Sequence, residues 1–292
     1  MISRQHFLQQ LAQLSGAALL SNPFLESLSS NASTKLPQIG VQLYTIRDQI
    51  DRDIAGSLRE IAALGFTHVE TAFWPKHIST SVAAAHIRAA NLTVASCHVD
   101  LPADKNISGL LDIATAFGSP KIIWHGWPED KRYSDFEGTK ELVAIYNECG
   151  RQAVSNGIQF GIHNHWWEYR NKVGGTFVYE ILHQELHPSI FFELDTYWVK
   201  VAGHDPAAII RQLGSRVKML HVKDGPAIYR DTLAQDNPDP MTPVGRGTLD
   251  MPAIINAAQS HCEWLIIEMD KTSVDVYQAL KDSLRFVQEH NK

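Results

Sequence analysis

Cysteine is scarce in this sequence: the 292 residues hold three, Cys97, Cys149 and Cys262. An odd, scattered set with no CxxC pair offers neither a disulfide framework nor a thiolate zinc site. They are expected to be small buried hydrophobes. Glycine-rich phosphate turns are missing too, since neither GxGxxG nor GxxxxGK[ST] occurs, which speaks against an open doubly wound nucleotide-binding sheet. Basic residues are in the minority, 26 Lys and Arg against 32 Asp and Glu, for a formal charge of -6. Without clustered cations there is no footprint for a phosphate backbone, and nucleic acid is excluded as the expected partner. No uninterrupted apolar run is long enough to give a stable membrane span. What remains is 44% hydrophobic and 20% charged residues, a balance that supports a large buried core, in a length that one α/β barrel can fill.

Residues 1–36 differ from the rest. Ser3-Arg4-Gln5-His6-Phe7-Leu8 leads into a weakly apolar stretch from Leu11 to Leu20 and then a Ser/Asn-rich connector. That order resembles an export signal, and the first residues resemble a twin-arginine signal in which Gln5 replaces the second arginine. The expectation is an exported, periplasmic protein whose mature chain starts near residues 22–36; the alternative is a cytoplasmic protein with an N-terminal extension.

From Pro37 onward, short apolar runs alternate with longer segments of helical period. The expected strands are Gly40–Thr45, Phe66–Glu70, Thr93–His98, Lys121–His125, Gln159–His163, Ile190–Asp195, Val217–Val222 and Trp264–Glu268. Their interiors are nearly continuous hydrophobes, as in strands covered on both faces. Helical stretches between them include Ile54–Leu64, Ser81–Ala90, Ile107–Phe117, Lys140–Ser155, Pro206–Leu213 and Val274–Glu289. Gly65, Gly118 and Gly157 stand where left-handed caps belong. Eight such alternations predict an α/β fold, a (β/α)8 TIM barrel forming a single domain over residues 37–292.

The apolar runs end repeatedly in His, Glu or Asp: Glu70, His98, His125, His163 with His165, Asp195, His221 and Glu268. In a barrel those ends converge on one mouth, where active sites lie. Converging carboxylates and imidazoles need compensation, and a divalent cation supplies it. A mixed His and carboxylate set suits Mn, Zn, Co or Fe(II) better than Ca, and one Mn or Zn ion is the expectation. Each residue also has a plainer reading: Glu268 paired with Lys223, Asp195 capping the next helix, His221 a satisfied core histidine.

Five segments carry a resemblance: Ile162-His163-Asn164-His165-Trp166-Trp167-Glu168, Leu194-Asp195-Thr196-Tyr197-Trp198, Leu220-His221-Val222-Lys223-Asp224-Gly225, Pro243-Val244-Gly245-Arg246-Gly247 and Ile267-Glu268-Met269-Asp270. In order and spacing they resemble the sugar phosphate isomerase/epimerase family, which has the xylose isomerase-like TIM barrel. The resemblance implies Asp195, His221 and Glu268 as metal ligands. Strand five departs from the family pattern, and Glu168 is the expected fourth ligand, with His163 or His165 as alternatives. It also implies a carbohydrate substrate, and Arg246 resembles the family's substrate-binding arginine.

A chelated hydroxyl and carbonyl make the neighbouring C–H acidic, so that a side chain can remove its proton and leave an enediolate. His163, His165 and Glu268 are the candidate catalytic residues. Reprotonation gives epimerisation or isomerisation of a sugar, keto-sugar or polyol; a leaving group β to the carbonyl gives a lyase on 3-keto-glycosides instead. Substrate contacts are expected from Glu70, His98, His125, Trp198, Lys223 and Arg246, and further from Tyr44 and Arg47. Trp124, Trp127, Trp166, Trp167 and Tyr197 are candidates for stacking on a sugar ring. No convergent Lys/Arg set or phosphate nest is visible, so the substrate is expected to be unphosphorylated. A non-catalytic carbohydrate-binding barrel is the alternative of another class. An apurinic-site endonuclease shares this kind of barrel but calls for a basic face that the sequence lacks.

Overall fold

The computed structural model describes residues 35–292 except 102–104 and 235–236. The expected export segment therefore lies outside the described residues, apart from its last two positions. Eight parallel strands close into a barrel: β1 Gln38–Gln42, β2 His68–Thr71, β3 Thr93–Val99, β4 Lys121–Trp124, β5 Gln159–His163, β6 Phe191–Asp195, β7 Val217–Val222 and β8 Trp264–Ile267. Each pairs with its neighbours in sequence, and β1 closes the ring on β8. This is the predicted (β/α)8 TIM barrel, a single domain. The largest shift from expectation is in β1, which stops at Gln42 instead of Thr45. There the Gln42 side chain accepts from Tyr44 N and turns the chain into a 3-10 helix over Leu43–Ile46.

The outer layer comprises α1 Ile54–Ala63, α2 Thr80–Ala89, α3 Ser108–Phe117, α4 Phe136–Ser155, α5 Val178–Glu185, α6 Pro206–Leu213, α7 Met251–Ala258 and α8 Val276–His290. Local chemistry fixes their ends. Asp53, Ser79, Asp135, Asp205, Asp250 and Asp275 each cap a helix by accepting a backbone N–H from its first turn, an arrangement that contributes about 1 kcal/mol per cap. Gly118, at φ 65°, ends α3 in the left-handed conformation expected of it, where a side chain would be strained.

The main apolar core lies between strands and helices, and all three cysteines are buried and free. A second, small cluster of Ala95, Ile123, Phe191, Met219, Trp264 and Ile266 fills the barrel interior. Gly161 on β5 makes room for it, since a Cβ there would stand 2.5 Å from the Phe191 ring. Because side chains alternate between faces, the inward series on β6 runs Phe191, Glu193, Asp195, and on β7 Met219, His221, Lys223. The interior thus changes from apolar to ionic along the strands. The ionic end is the C-terminal mouth.

Candidate metal centre

Asp195, His221 and Glu268 come from three adjacent strand ends, β6, β7 and β8. One donor atom from each lies within 4.8 Å of the others, a grouping that could hold a metal ion. Asp195 and His221 are register partners. Asp195 does cap the short helix Thr196–Val201, its Oδ1 accepting from Trp198 N at 2.9 Å, but that occupies only one oxygen. Asn164 holds the backbone beneath it, Oδ1 accepting from Asp195 N at 2.9 Å. The cap and the ligand role are thus compatible in one carboxylate.

The buried atoms left without hydrogen bonds are informative. Asp195 Oδ2, His221 Nδ1 and Glu268 Oε2 all lack a hydrogen-bond partner. His221 Nδ1 stands only 2.6 Å from Glu268 Oε2, close in distance but off the directions of a hydrogen bond. Burying such groups is costly unless an opposite charge or a cation stands beside them. The donor set, one imidazole and two carboxylates, fits Mn or Zn chemistry.

Lys223 reaches the same two carboxylates, Nζ lying 2.6 Å from Glu268 Oε2 and 2.9 Å from Asp195 Oδ2. Its well-formed hydrogen bond is to Asp270 Oδ2 at 2.9 Å, a contact that does not involve the proposed ligands. Burial opposes ionisation of Glu268, but Lys223 and His221 outweigh it and hold the carboxyl below its usual range. Burial raises Asp270 to about 6, although Lys223 works against the shift. The plainer expectation, a Glu268–Lys223 pair, is therefore also present, and sits on top of the cluster rather than replacing it.

Below lies a second layer that the sequence reading had not assembled. Glu193 on β6 accepts from His98 Nε2 at 2.6 Å and stands 3.2 Å from His221 Nε2 and 3.3 Å from His163 Nδ1. His98, His163, Glu193 and His221 make a second grouping of potential donors. Burial lowers the His98 imidazolium, but Glu70 and Glu193 outweigh it and raise it to about 9. Glu193 lies inside its strand and not at its end. The signal was available: Phe-Phe-Glu-Leu-Asp places a carboxylate two residues before Asp195, on the same face.

His163 and His165 flank the centre. His163 Nε2 lies 3.8 Å from Asp195 Oδ2, and His165 stacks on Trp167 at 4.4 Å between ring centroids. Burial pushes both imidazoles well below the usual histidine range, helped by the positive charge of His221 beside the first and of Lys223 beside the second. Both are thus neutral near pH 7 and can accept a proton.

Three expected roles meet a different placement. Glu168 does not join either grouping: its Oε2 accepts from His165 N at 2.9 Å, closing a capping box at the start of the short helix Trp166–Arg170. Burial raises its carboxyl to about 8. The expected substrate contact Glu70 is fully buried beneath the centre and bonded to protein groups. Arg246 pairs with Asp282 on α8 at 3.1 Å, with its side chain 62% exposed, and does not line the cavity above the centre. Its loop is organised by Asp224, which accepts from the N–H groups of Gly225, Gly245, Gly247 and Leu249, and that turn directs Arg246 outward.

A cavity of about 530 Å3 opens over the centre, lined by His98, His125, His163, His165, Lys223 and Glu268 among others. Trp198 lies in its wall, as expected, and His125 is steadied by Asp100 at 2.8 Å. Tyr44 and Arg47 line it as well. Of the other aromatics named from sequence, only Trp127 reaches it; Trp167 and Tyr197 are buried in the core. Phe73, exposed and edge-on to His125 at 4.8 Å, is an addition.

Among the described residues no helix is long and apolar enough to cross a membrane. The chain is structurally similar to a sugar phosphate isomerase/epimerase from Parabacteroides distasonis, with 20% identity and a TM-score of 0.70 over 89% of this chain and 97% of that one. It is likewise similar to a D-allulose 3-epimerase from Methylomonas sp., at 16% identity and TM-score 0.63, covering 88% of this chain and 98% of that one. A probable 3-DHS dehydratase involved in petrobactin synthesis from Bacillus anthracis matches at 16% identity and TM-score 0.64, covering 86% and 98%. No curated protein matches the sequence. The family profile described as xylose isomerase-like TIM barrel matches residues 58–290, and the chain belongs to that family.

Proposed function

We propose that the protein is a divalent-metal-dependent isomerase or epimerase acting on a sugar, keto-sugar or polyol, with Asp195, His221 and Glu268 holding one Mn or Zn ion. The observation that carries this reading is the convergence of one buried donor atom each from Asp195, His221 and Glu268 within 4.8 Å of one another, with Glu268 lining a solvent-reaching cavity. A cation bound there polarises a carbonyl and acidifies the neighbouring C–H. His163, neutral and beside Asp195, takes that proton on an imidazole nitrogen; His165, also neutral and facing the cavity, is placed to return one. Proton return to the opposite face inverts the carbon, and return to the adjacent carbon exchanges aldose and ketose. Lys223 holds a developing oxygen charge while keeping its bond to Asp270. Trp127 and Phe73 offer flat faces at the rim for a sugar ring.

A second reading is elimination from a 3-keto-glycoside, which needs room for a leaving group. The cavity volume of about 530 Å3 falls among pockets that take drug-sized ligands, roughly 300–1,000 Å3, which leaves space for a leaving group beside one ring. The test is incubation of the chelator-stripped protein, with and without Mn, with a panel of ketoses and 3-keto-glycosides in D2O. Metal-dependent deuterium incorporation at a substrate carbon supports the reading, and release of an aglycone selects elimination. His163→Ala is expected to keep the metal and lose turnover. Binding of a sugar without exchange in any case would leave a carbohydrate-binding barrel instead.

A further inference from the structure

Glu70 is a fully buried carboxylate in the barrel and does not line the cavity. Its hydrogen-bond and ion-pair partners are donors. Gln42 on β1 donates Nε2–H to Oε1 at 2.7 Å, Ser96 on β3 donates its hydroxyl to Oε2, and the ring of His98 stands 3.1 Å from Oε1. The Gln42 amide cannot turn around, because its own Oε1 accepts from Tyr44 N. Across the barrel, His221 Nε2 lies 2.7 Å from Glu70 Oε1. The strand register between β2 and β3 shifts between Val69 and Glu70, the kind of irregularity that re-aims a side chain beside a functional site.

These contacts have one consequence for His221. A neutral imidazole, the form that binds a cation, presents Nδ1 as its lone pair when it donates Nε2–H to a carboxylate, and Nδ1 is the ring atom that stands 2.6 Å from Glu268 Oε2. We propose that Glu70 is a positioning residue for the metal centre: held by Gln42 and Ser96, it fixes the ring orientation and tautomer of His221 so that Nδ1 is the metal-binding atom. The inference rests on the cation site proposed above. Carboxylate–histidine–metal relays of this kind also raise the basicity of the ligand nitrogen. Glu193 approaches the same Nε2, but at 3.2 Å and with its Oε2 already taken by His98 at 2.6 Å, so it is the natural control.

The experiment titrates Mn into chelator-stripped full-length protein by calorimetry, comparing wild type with Glu70→Gln, Glu70→Ala and Glu193→Gln, and reads the histidine ring nitrogens by 15N NMR in the Zn-loaded forms. Loss of such a partner lowers metal affinity by about 10–100-fold. Glu70→Ala is expected at the upper end. Glu70→Gln, which keeps an acceptor but no charge, is expected near tenfold; Glu193→Gln should bind more tightly than either. Zn-loaded wild type should show His221 protonated at Nε2. If Glu70→Ala does not fold, Glu70→Gln and the wild-type tautomer still decide the matter. Wild-type affinity in the Glu70 variants, or a His221 protonated at Nδ1 with Zn bound, overturns the role of Glu70 alone. A wild type that binds neither Mn nor Zn overturns the centre itself, and this inference with it.

Discussion

Lys223→Met tests how the centre balances its charge. The Lys223 ammonium is almost wholly buried and stands within 2.9 Å of Asp195, Glu268 and Asp270. Methionine fills the volume and removes the cation, leaving two buried carboxyls and the part-buried Asp270 without their common partner. Removing one member of a buried ionic set costs about 3–5 kcal/mol, chiefly because the remaining charge is uncompensated. For a chain of this size about 1 kcal/mol moves the unfolding midpoint by roughly 2–4 °C, so the variant should melt about 6–20 °C below wild type in chelator at pH 8. A divalent cation replaces the missing charge at two of the three carboxylates. At a free Mn concentration one hundred times Kd, binding adds about 2.7 kcal/mol, and the variant should recover about half of its loss or more. The assay is thermal unfolding by circular dichroism, with and without Mn. A variant that melts within 2 °C of wild type in chelator, or one that Mn does not raise, would refute the charge-balance argument.

Gly161→Ala places a Cβ 2.5 Å from the Phe191 ring. Overpacking of that kind costs about 1–3 kcal/mol, and the expected fall of roughly 2–12 °C in midpoint is read by the same unfolding assay; an unchanged midpoint would mean that the barrel interior has slack. Glu168→Gln addresses pH. Burial raises Glu168 from its ordinary 4.5 to about 8, so the folded chain keeps a proton that the unfolded chain releases. The associated stability is fully present below about pH 4.5 and is lost as pH rises through about 8. Glutamine cannot ionise, so the variant should gain on wild type between pH 5 and pH 9 in unfolding midpoint; a difference that does not change with pH contradicts the burial of an acid there.

The barrel was legible because its signals are repetitive: eight apolar runs, capped helices and turn glycines state the same period many times, and errors of a few residues at strand ends do not alter it. Asp195, His221 and Glu268 were legible because a polar residue closing a buried strand has nowhere to go but the mouth. Glu193 was obscured by its apolar neighbours Phe192 and Leu194, although strand alternation puts it on the inner face with Asp195. The surroundings of Glu168 and Arg246 were hidden for another reason. Both lie beyond strand ends, where the direction of a side chain is set by the turn and not by the strand. The turn at Glu168 closes as its carboxylate accepts from His165 N, three residues back, and His165 is not the Ser or Thr by which sequence marks a capping box. The turn that sends Arg246 toward Asp282 depends on Asp224, some twenty positions earlier, and no local pattern reveals it.

The central claim is that Asp195, His221 and Glu268 share one cation. Equilibrium dialysis of chelator-stripped, untagged protein against Mn or Zn, with the bound metal counted by mass spectrometry, tests it most directly. The account predicts about one ion per chain in wild type and loss of that ion in an Asp195→Asn, Glu268→Gln double variant that still folds. No retained ion in wild type, or equal retention in the double variant, would contradict it.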